Sequence, residues 1–170
     1  MEIENFNNRL SFEEVRAFDA EVFNFDKEIC GISREKYLNC WYSTGNCEKL
    51  KICSKENKKL KGFGVSIDHY RRSFFIGPIV CDDLKTTGLA IFLKLLQRVK
   101  TNYLGEASTQ EKKEINIYVY KSSGLIEILE NFGFELDRKV YTYLTNEFPK
   151  EWEGRFKSVF ATCPCNYGPF

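Results

Sequence analysis

The sequence predicts a single α+β domain in which a mostly antiparallel sheet carries helices. Three observations predict it. Apolar residues recur at helical spacing in the N-terminal quarter and again from Leu89 to Val99. From Glu48 the period changes to strand alternation, and no low-complexity linker or internal repeat divides the 170 residues into separate units. A chain of this length with 43% apolar residues can bury roughly 70% of its unfolded surface around one core.

Taken in order, Ser11-Phe12-Glu13-Glu14 has the spacing of a capping box, and Phe12, Val15, Phe18 and Val22 then share one helical face. A helix is expected from about Phe12 to Phe23. Ser33 caps a second, with Tyr37, Leu38 and Trp41 on one face, before the turn Ser43-Thr44-Gly45-Asn46. Residues 1 to about 45 thus read as a helical part and 48–163 as the sheet-bearing part. Leu50 and Ile52 alternate with lysines, Lys55 to Lys61 is a polar turn, and Phe63, Val65 and Ile67 alternate again, as in an antiparallel hairpin. Phe74 to Val80 is apolar on both faces and suits a central strand, but Pro78 cannot donate to a ladder and marks a bulge or splay. Leu89, Phe92, Leu93, Leu96 and Val99 form the stripe of a long helix on the sheet. Ile115, Ile117 and Val119 make another strand. Ser123 opens a short helix bearing Leu125, Ile128, Leu129 and Phe132, ended by Gly133. Two last strands are expected around Phe134 to Thr145 and Lys157 to Cys163.

Composition bounds the partners. The 25 Lys and Arg nearly cancel the 24 Asp and Glu, so no broad basic field points to nucleic acid. No run approaches the ~20 apolar residues that span a bilayer, and the N-terminus lacks a basic segment followed by an apolar one. A cytoplasmic protein, monomeric or homodimeric, is expected. Seven cysteines without a Cys-x-x-Cys pair, beside the lone His69, read as reduced structural thiols and not as metal ligands; Cys163 and Cys165 lack two further convergent ligands.

The segment Ile79-Val80-Cys81-Asp82-Asp83-Leu84-Lys85-Thr86-Thr87-Gly88-Leu89-Ala90 runs from the central strand into a helix with small residues in its first turn. A helix start carries about half a positive charge and unpaired N–H donors, and so can hold a pyrophosphate without a basic side chain. Gly88 and Ala90 would let that anion approach closely; an ordinary strand–helix turn accounts for the same residues. Here the sequence resembles the GNAT superfamily, whose signature is Arg or Gln, two residues, Gly, one residue, then Gly or Ala. Lys85 to Ala90 matches it with lysine at the first position, and Val80 stands where the family's apolar strand ends. The helix closing on Asn131-Phe132-Gly133-Phe134 fits a further family pattern, with Ser123 in place of asparagine. Phe75-Ile76-Gly77-Pro78-Ile79-Val80 also looks like the Ile-Gly-Pro strand of a GNAT subgroup. The resemblance covers about Glu48 to Cys163.

It implies a single-domain GNAT-like fold, with a mixed sheet, helices on both faces and a central strand pair splayed near Pro78. It implies an N-acetyltransferase that passes an acetyl group from acetyl-CoA to a primary amine, on a small molecule or a protein, by direct attack. The pantetheine arm would pair with Ile79 and Val80. The pyrophosphate would rest on Lys85, Thr86, Thr87, Gly88, Leu89 and Ala90, with Lys85 adding a point charge and the threonine hydroxyls further donors, and Ser123 would bond the pantetheine region. Many family members carry a tyrosine acid four residues before the glycine of Gly-Phe; here that position is Leu129. Tyr118 and Tyr120 are the nearest alternative acids, and both also suit a strand. Asp82 is a candidate base, with Asp83 beside it, although acidic residues before a helix are explained by its dipole alone. His69, in the turn Asp68 to Arg72, titrates in the right range but suits a solvated position. Cys81 reads as a space-filling thiol because no paired base accompanies it. The alternative to an active enzyme is an acyl-CoA-binding module with weak or no catalysis.

Overall fold

Strand pairing carries the architecture of the computed structural model, in which residues 9–42, 47–69, 73–101, 114–119, 125–136 and 159–161 are described. The order is β1 (Leu10–Val15), α1 (Ala20–Cys30), α2 (Glu35–Tyr42), β2 (Cys47–Ser54), β3 (Leu60–His69), β4 (Ser73–Cys81), a π turn (Leu84–Gly88) continuing into α3 (Leu89–Val99), β5 (Glu114–Ile117), α4 (Ile126–Asn131) and β6 (Val159–Ala161). The sheet runs β1-β2-β3-β4-β5, with β6 also on β4. β1 to β4 are antiparallel neighbours, β5 joins β4 in parallel and β6 joins it antiparallel. This is the expected mixed α+β sheet.

The two faces of the sheet bury different sets of side chains, as period-2 alternation requires. On one face Leu50, Ile52, Ile76 and Ile79 meet Ile91, Phe92 and Leu95 of α3, with Leu125 and Leu129 joining the same core. On the other, Phe63, Val65 and Val80 meet Phe18, Val22 and Leu38 from the α1–α2 side. Phe18 packs edge-on against Phe63 with ring centroids 5.0 Å apart. Each such large side chain removed from water contributes roughly 1.5–3 kcal/mol. Helix α3 lies close because β3 carries Gly62 and Gly64 beneath it: a Cβ at Gly64 would stand 2.4 Å from Ile91 Cγ2.

The first helix is a correction. Residues Leu10–Val15 form a strand that pairs with β2 from Leu10↔Ser54 to Val15↔Lys49, and the helix starts only at Ala20, where the Asp19 carboxylate accepts the Val22 N–H at 3.1 Å. The apolar stripe Phe12, Val15, Phe18, Val22 is divided between the two faces: Phe12 packs on the α3 side and the other three on the α1–α2 side. A ladder with β2 satisfies every second backbone group of this segment, which an isolated amphipathic turn does not. The N-terminal part is therefore not wholly helical. The turn 43–46 and residues 137–145 lie outside the described residues, and Phe134 to Leu136 carry no regular structure. Among the described residues no helix is long and apolar enough to cross a membrane.

Candidate functional site

Pro78 shapes the centre of the site. Between the pairs Gly64↔Ile79 and Ser66↔Ile76, β3 advances two residues while β4 advances three, so Gly77-Pro78 forms a bulge. The burial pattern registers the extra residue, since Ile76 and Ile79, three apart, face the same core. A residue without an N–H is accommodated where the ladder already slips.

The parallel pairing of β5 ends at this bulge. It runs from Ser73↔Glu114 to Ile76↔Ile117, and among the described residues β5 pairs with no part of β4 beyond it. The parallel ladder thus stops at the bulge, where the sequence led us to expect a splay. Tyr118 is the residue that follows the last pair. Because Ile115, Ile117 and Val119 pack toward the α3-side core, alternation turns Tyr118 to the opposite face, where its ring stacks on Phe75 at 5.8 Å and 12°. Tyr118 and Leu129 line one cavity of about 120 Å³, together with Ile117, Ile126 and Phe134. Leu129 itself is buried core.

After β4 the chain turns into the helix through the π turn, in which Gly88 N–H donates to the Asp83 carbonyl at 2.9 Å. A helical start leaves its first N–H groups without backbone partners. One of these is capped, since the Asp83 carboxylate accepts the Lys85 N–H at 3.1 Å. The two threonine hydroxyls, expected as donors to an anion, are already engaged: Thr86 Oγ1 donates to Asp83 and Thr87 Oγ1 donates to Asp82 at 2.9 Å. The two carboxylates stand three and five residues upstream. Lys85 is exposed, Thr87 and Gly88 are buried, and Leu89 and Ala90 belong to the core between α3 and the sheet. The Leu89 N–H is engaged as well, donating to the Leu84 and Thr86 carbonyls.

Asp82 points toward β3. Its carboxylate takes Lys61 Nζ at 2.8 Å, and its N–H donates to the Lys61 carbonyl at 2.9 Å. With Asp83, Thr86, Thr87, Arg9 and Lys61 it borders an open polar groove of about 1230 Å³. The geometry gives Asp82 a bridging part between Lys61 and Thr87, while the helix cap is Asp83. Ile79 and Val80 are fully buried and have neighbours on both edges, Gly64 and Phe63 of β3 on one and Ala161 and Val159 of β6 on the other. The β6 contact was not visible in the sequence, where Lys157 to Cys163 read only as a further strand.

Cys81 is wholly buried; burial pushes its thiol up, and the Asp82 and Asp83 carboxylates push in the same direction. His69 is the last residue of β3, paired with Ser73, and not a turn residue. Among the described residues no three His, Cys, Asp or Glu side chains converge as a metal site. Tyr120, Ser123, Cys163 and Cys165 lie outside the described residues.

Comparison with known proteins agrees with this architecture. Residues 22–156 match the model of the acetyltransferase (GNAT) domain. No curated protein matches by sequence. Among solved structures, a Trypanosoma brucei acetyltransferase superposes with a TM-score of 0.54 at 12% identity, covering 79% of this chain and 99% of that one. An aminoglycoside acetyltransferase from an uncultured soil metagenomic sample, solved with trehalose and with sisomicin, gives the same TM-score at 16% identity, covering 86% and 100%. These likenesses concern the fold; the family match over residues 22–156 goes further, and by it the chain belongs to the GNAT acetyltransferases and is an acyltransferase.

Proposed function

We propose that this chain transfers an acetyl group from acetyl-CoA to a primary amine by direct attack, the amine belonging to a small molecule or a protein. The observation that carries the reading is the meeting of two features in one stretch of chain. β4 bulges at Gly77-Pro78 and its ladder with β5 stops there, and soon after Cys81 the π turn closes its first backbone bond, from the Gly88 N–H to the Asp83 carbonyl. A splayed edge suits the amide-bearing pantetheine arm, and the N–H groups of Thr86 and Thr87 at a helix start suit its pyrophosphate. Lys85 adds a mobile cation, without the bidentate fork of an arginine. Asp82 and Asp83 oppose an anion, but Lys61 and the capped donors draw their charge inward.

In the reaction the amine nitrogen forms a bond to the thioester carbonyl carbon, the C–S bond breaks, and the nitrogen loses a proton while the thiolate gains one. A backbone N–H at the bulge, near Ile79, would stabilise the carbonyl oxygen as charge develops on it. Tyr118 is the assigned acid. It adjoins the end of the β4–β5 pairing, with its ring on the sheet face opposite the core that holds Leu129, the position that many family members fill with tyrosine. For Asp82 to act as the base, it must first give up Lys61, so in this reading the amine proton leaves through water. Tyr120 and Ser123 keep their sequence-based assignments, as alternative acid and as partner of the pantetheine region.

The second reading, an acyl-CoA-binding module with weak catalysis, draws on the buried leucine at position 129, which cannot titrate. Calorimetry with CoA and turnover of acetyl-CoA over an amine panel separate the two. Gly88→Ile should abolish CoA binding in a folded chain, and unchanged affinity refutes the site. Tyr118→Phe keeps the ring and should lower the chemical rate about 10²-fold with binding intact; an unchanged rate removes Tyr118 from the reaction.

A further inference from the structure

Beyond the bulge both edges of β4 are taken. Phe63 and Gly64 of β3 pair with Val80 and Ile79 on one edge, and β6 pairs Ala161 with Ile79 and Val159 with Val80 on the other. β6 also lies against the π turn. One three-residue strand of the chain therefore occupies the outer edge of Ile79-Val80, where the pantetheine arm is assigned above, and neighbours the helix start assigned to the pyrophosphate. An extended pantetheine arm pairs through amide N–H and C=O groups, as a strand does, and the backbone groups on one edge of β4 serve one neighbour at a time.

We propose that β6 is an internal occupant of the pantetheine edge, so that acyl-CoA binds only after Val159–Ala161 has left β4. The proposal rests on the acyl-CoA reading and adds that cofactor binding and β6 pairing exclude each other. The pairing is of a kind that yields. It has two ladder pairs, and the register slips between them, because β4 moves one residue while β6 moves two. β1 and β2, by contrast, share six consecutive pairs. Short, irregular pairings sit at the low end of local stability and open without global unfolding. The apparent dissociation constant for CoA then equals the intrinsic one divided by the fraction of chains with β6 released.

The test titrates CoA into the full chain, into Ala161→Pro and into Gly88→Ile by calorimetry. Proline at 161 cannot donate to the ladder and should release β6, so Ala161→Pro is expected to bind CoA about tenfold more tightly, as for an edge that is open in roughly one chain in ten. Unchanged affinity in folded Ala161→Pro, with binding still lost in Gly88→Ile, overturns the β6 proposal and leaves the CoA site standing. Affinity unchanged in both variants, or no binding by any chain, overturns the acyl-CoA reading and the proposal with it. Hydrogen exchange on the unmodified chain decides the matter independently and suffices if Ala161→Pro does not fold. Saturating CoA should speed exchange at residues 159–161 while slowing it at 84–90. Slowing at both segments, or no change at 159–161, overturns the proposal.

Discussion

Gly64 is where β3 lets α3 down onto the sheet, and replacing it with alanine tests that role quantitatively. The added Cβ would stand 2.4 Å from Ile91 Cγ2, 3.0 Å from Leu95 Cδ1 and 3.1 Å from Ile79 Cγ1, against about 3.5–4.0 Å for a relaxed carbon contact. Ile91 and Leu95 are fully buried. Overpacking of this kind costs about 1–3 kcal/mol, and the reduced entropy of the unfolded chain on replacing glycine returns up to about 1 kcal/mol. The net loss is about 1–2 kcal/mol, or roughly 2–8 °C in Tm for a domain of this size. Urea unfolding of Gly64→Ala should show a lower midpoint at unchanged slope. Ile91→Ala removes the methyl that is struck and alone costs about 2–5 kcal/mol through its cavity. The double variant should cost less than the sum by at least about 0.5 kcal/mol. Additive losses, or a Gly64→Ala as stable as the parent, refute the argument that this glycine sets the height of α3.

Three further outcomes follow from the packing. Lys51 is buried between Glu21 at 2.7 Å and Asp19 at 2.9 Å; burial works to lower its pKa, but these hydrogen bonds prevail and push it up to about 12 from its ordinary 10.5. A raised lysine adds stability that is complete below 10.5 and lost as pH rises through about 12, so the stability gap between parent and Lys51→Met should close across that window; a gap constant with pH refutes it. Asp26, wholly buried, accepts Arg34 Nε at 3.0 Å and Nη2 at 2.5 Å, and Asp26→Asn should cost about 3 kcal/mol in urea unfolding by stranding the guanidinium; a loss below about 1 kcal/mol would show the pair to be dispensable. Cys81, buried with its thiol pushed up by burial and by Asp82 and Asp83, should resist iodoacetamide in the native chain, and Cys81→Ala should still transfer acetyl groups; an acetyl-cysteine that decays at the turnover rate refutes direct attack.

The elements that the sequence made legible are those whose period and burial agree. β2 and β3 alternate because each has one set of side chains under α3 and another toward α1 and α2, and α3 shows its stripe because one face lies on the sheet. The bulge was legible from a single residue, Pro78, because a missing donor has few places in a central strand. β1 was misread because Phe12, Val15, Phe18 and Val22 satisfy a helical period by coincidence. The strand turns Phe12 to one face and Val15 to the other, and the helix that holds Val22 begins afresh at Asp19. A capping box at Ser11 and an Asx cap at Asp19 are both sound local signals, and only the partner strand β2 decides between them.

The site divides along the same line, between what neighbouring residues fix and what distant ones bring. Gly88 and its spacing from Val80 lie on one stretch of chain, so the junction was readable, and the Asp83 cap on Lys85 N–H was implicit in an aspartate preceding a helix. The diversion of both threonine hydroxyls to Asp82 and Asp83 follows from the same local chemistry: a short polar side chain bonds the nearest acceptor when one stands three to five residues away. The bond of Lys61 to Asp82, the stacking of Phe75 on Tyr118 and the seat of β6 on Ile79-Val80 each join segments more than twenty residues apart. Nothing in the period of either partner announces such a meeting. The β6 contact matters most for function, because a sequence shows which edge can receive a strand-like ligand but not that the chain supplies an occupant of its own. On the acyl-CoA reading proposed above, the motif names the stretch of chain for the cofactor, and the pairing of β6 beside it sets how much binding energy would remain after that occupant is displaced.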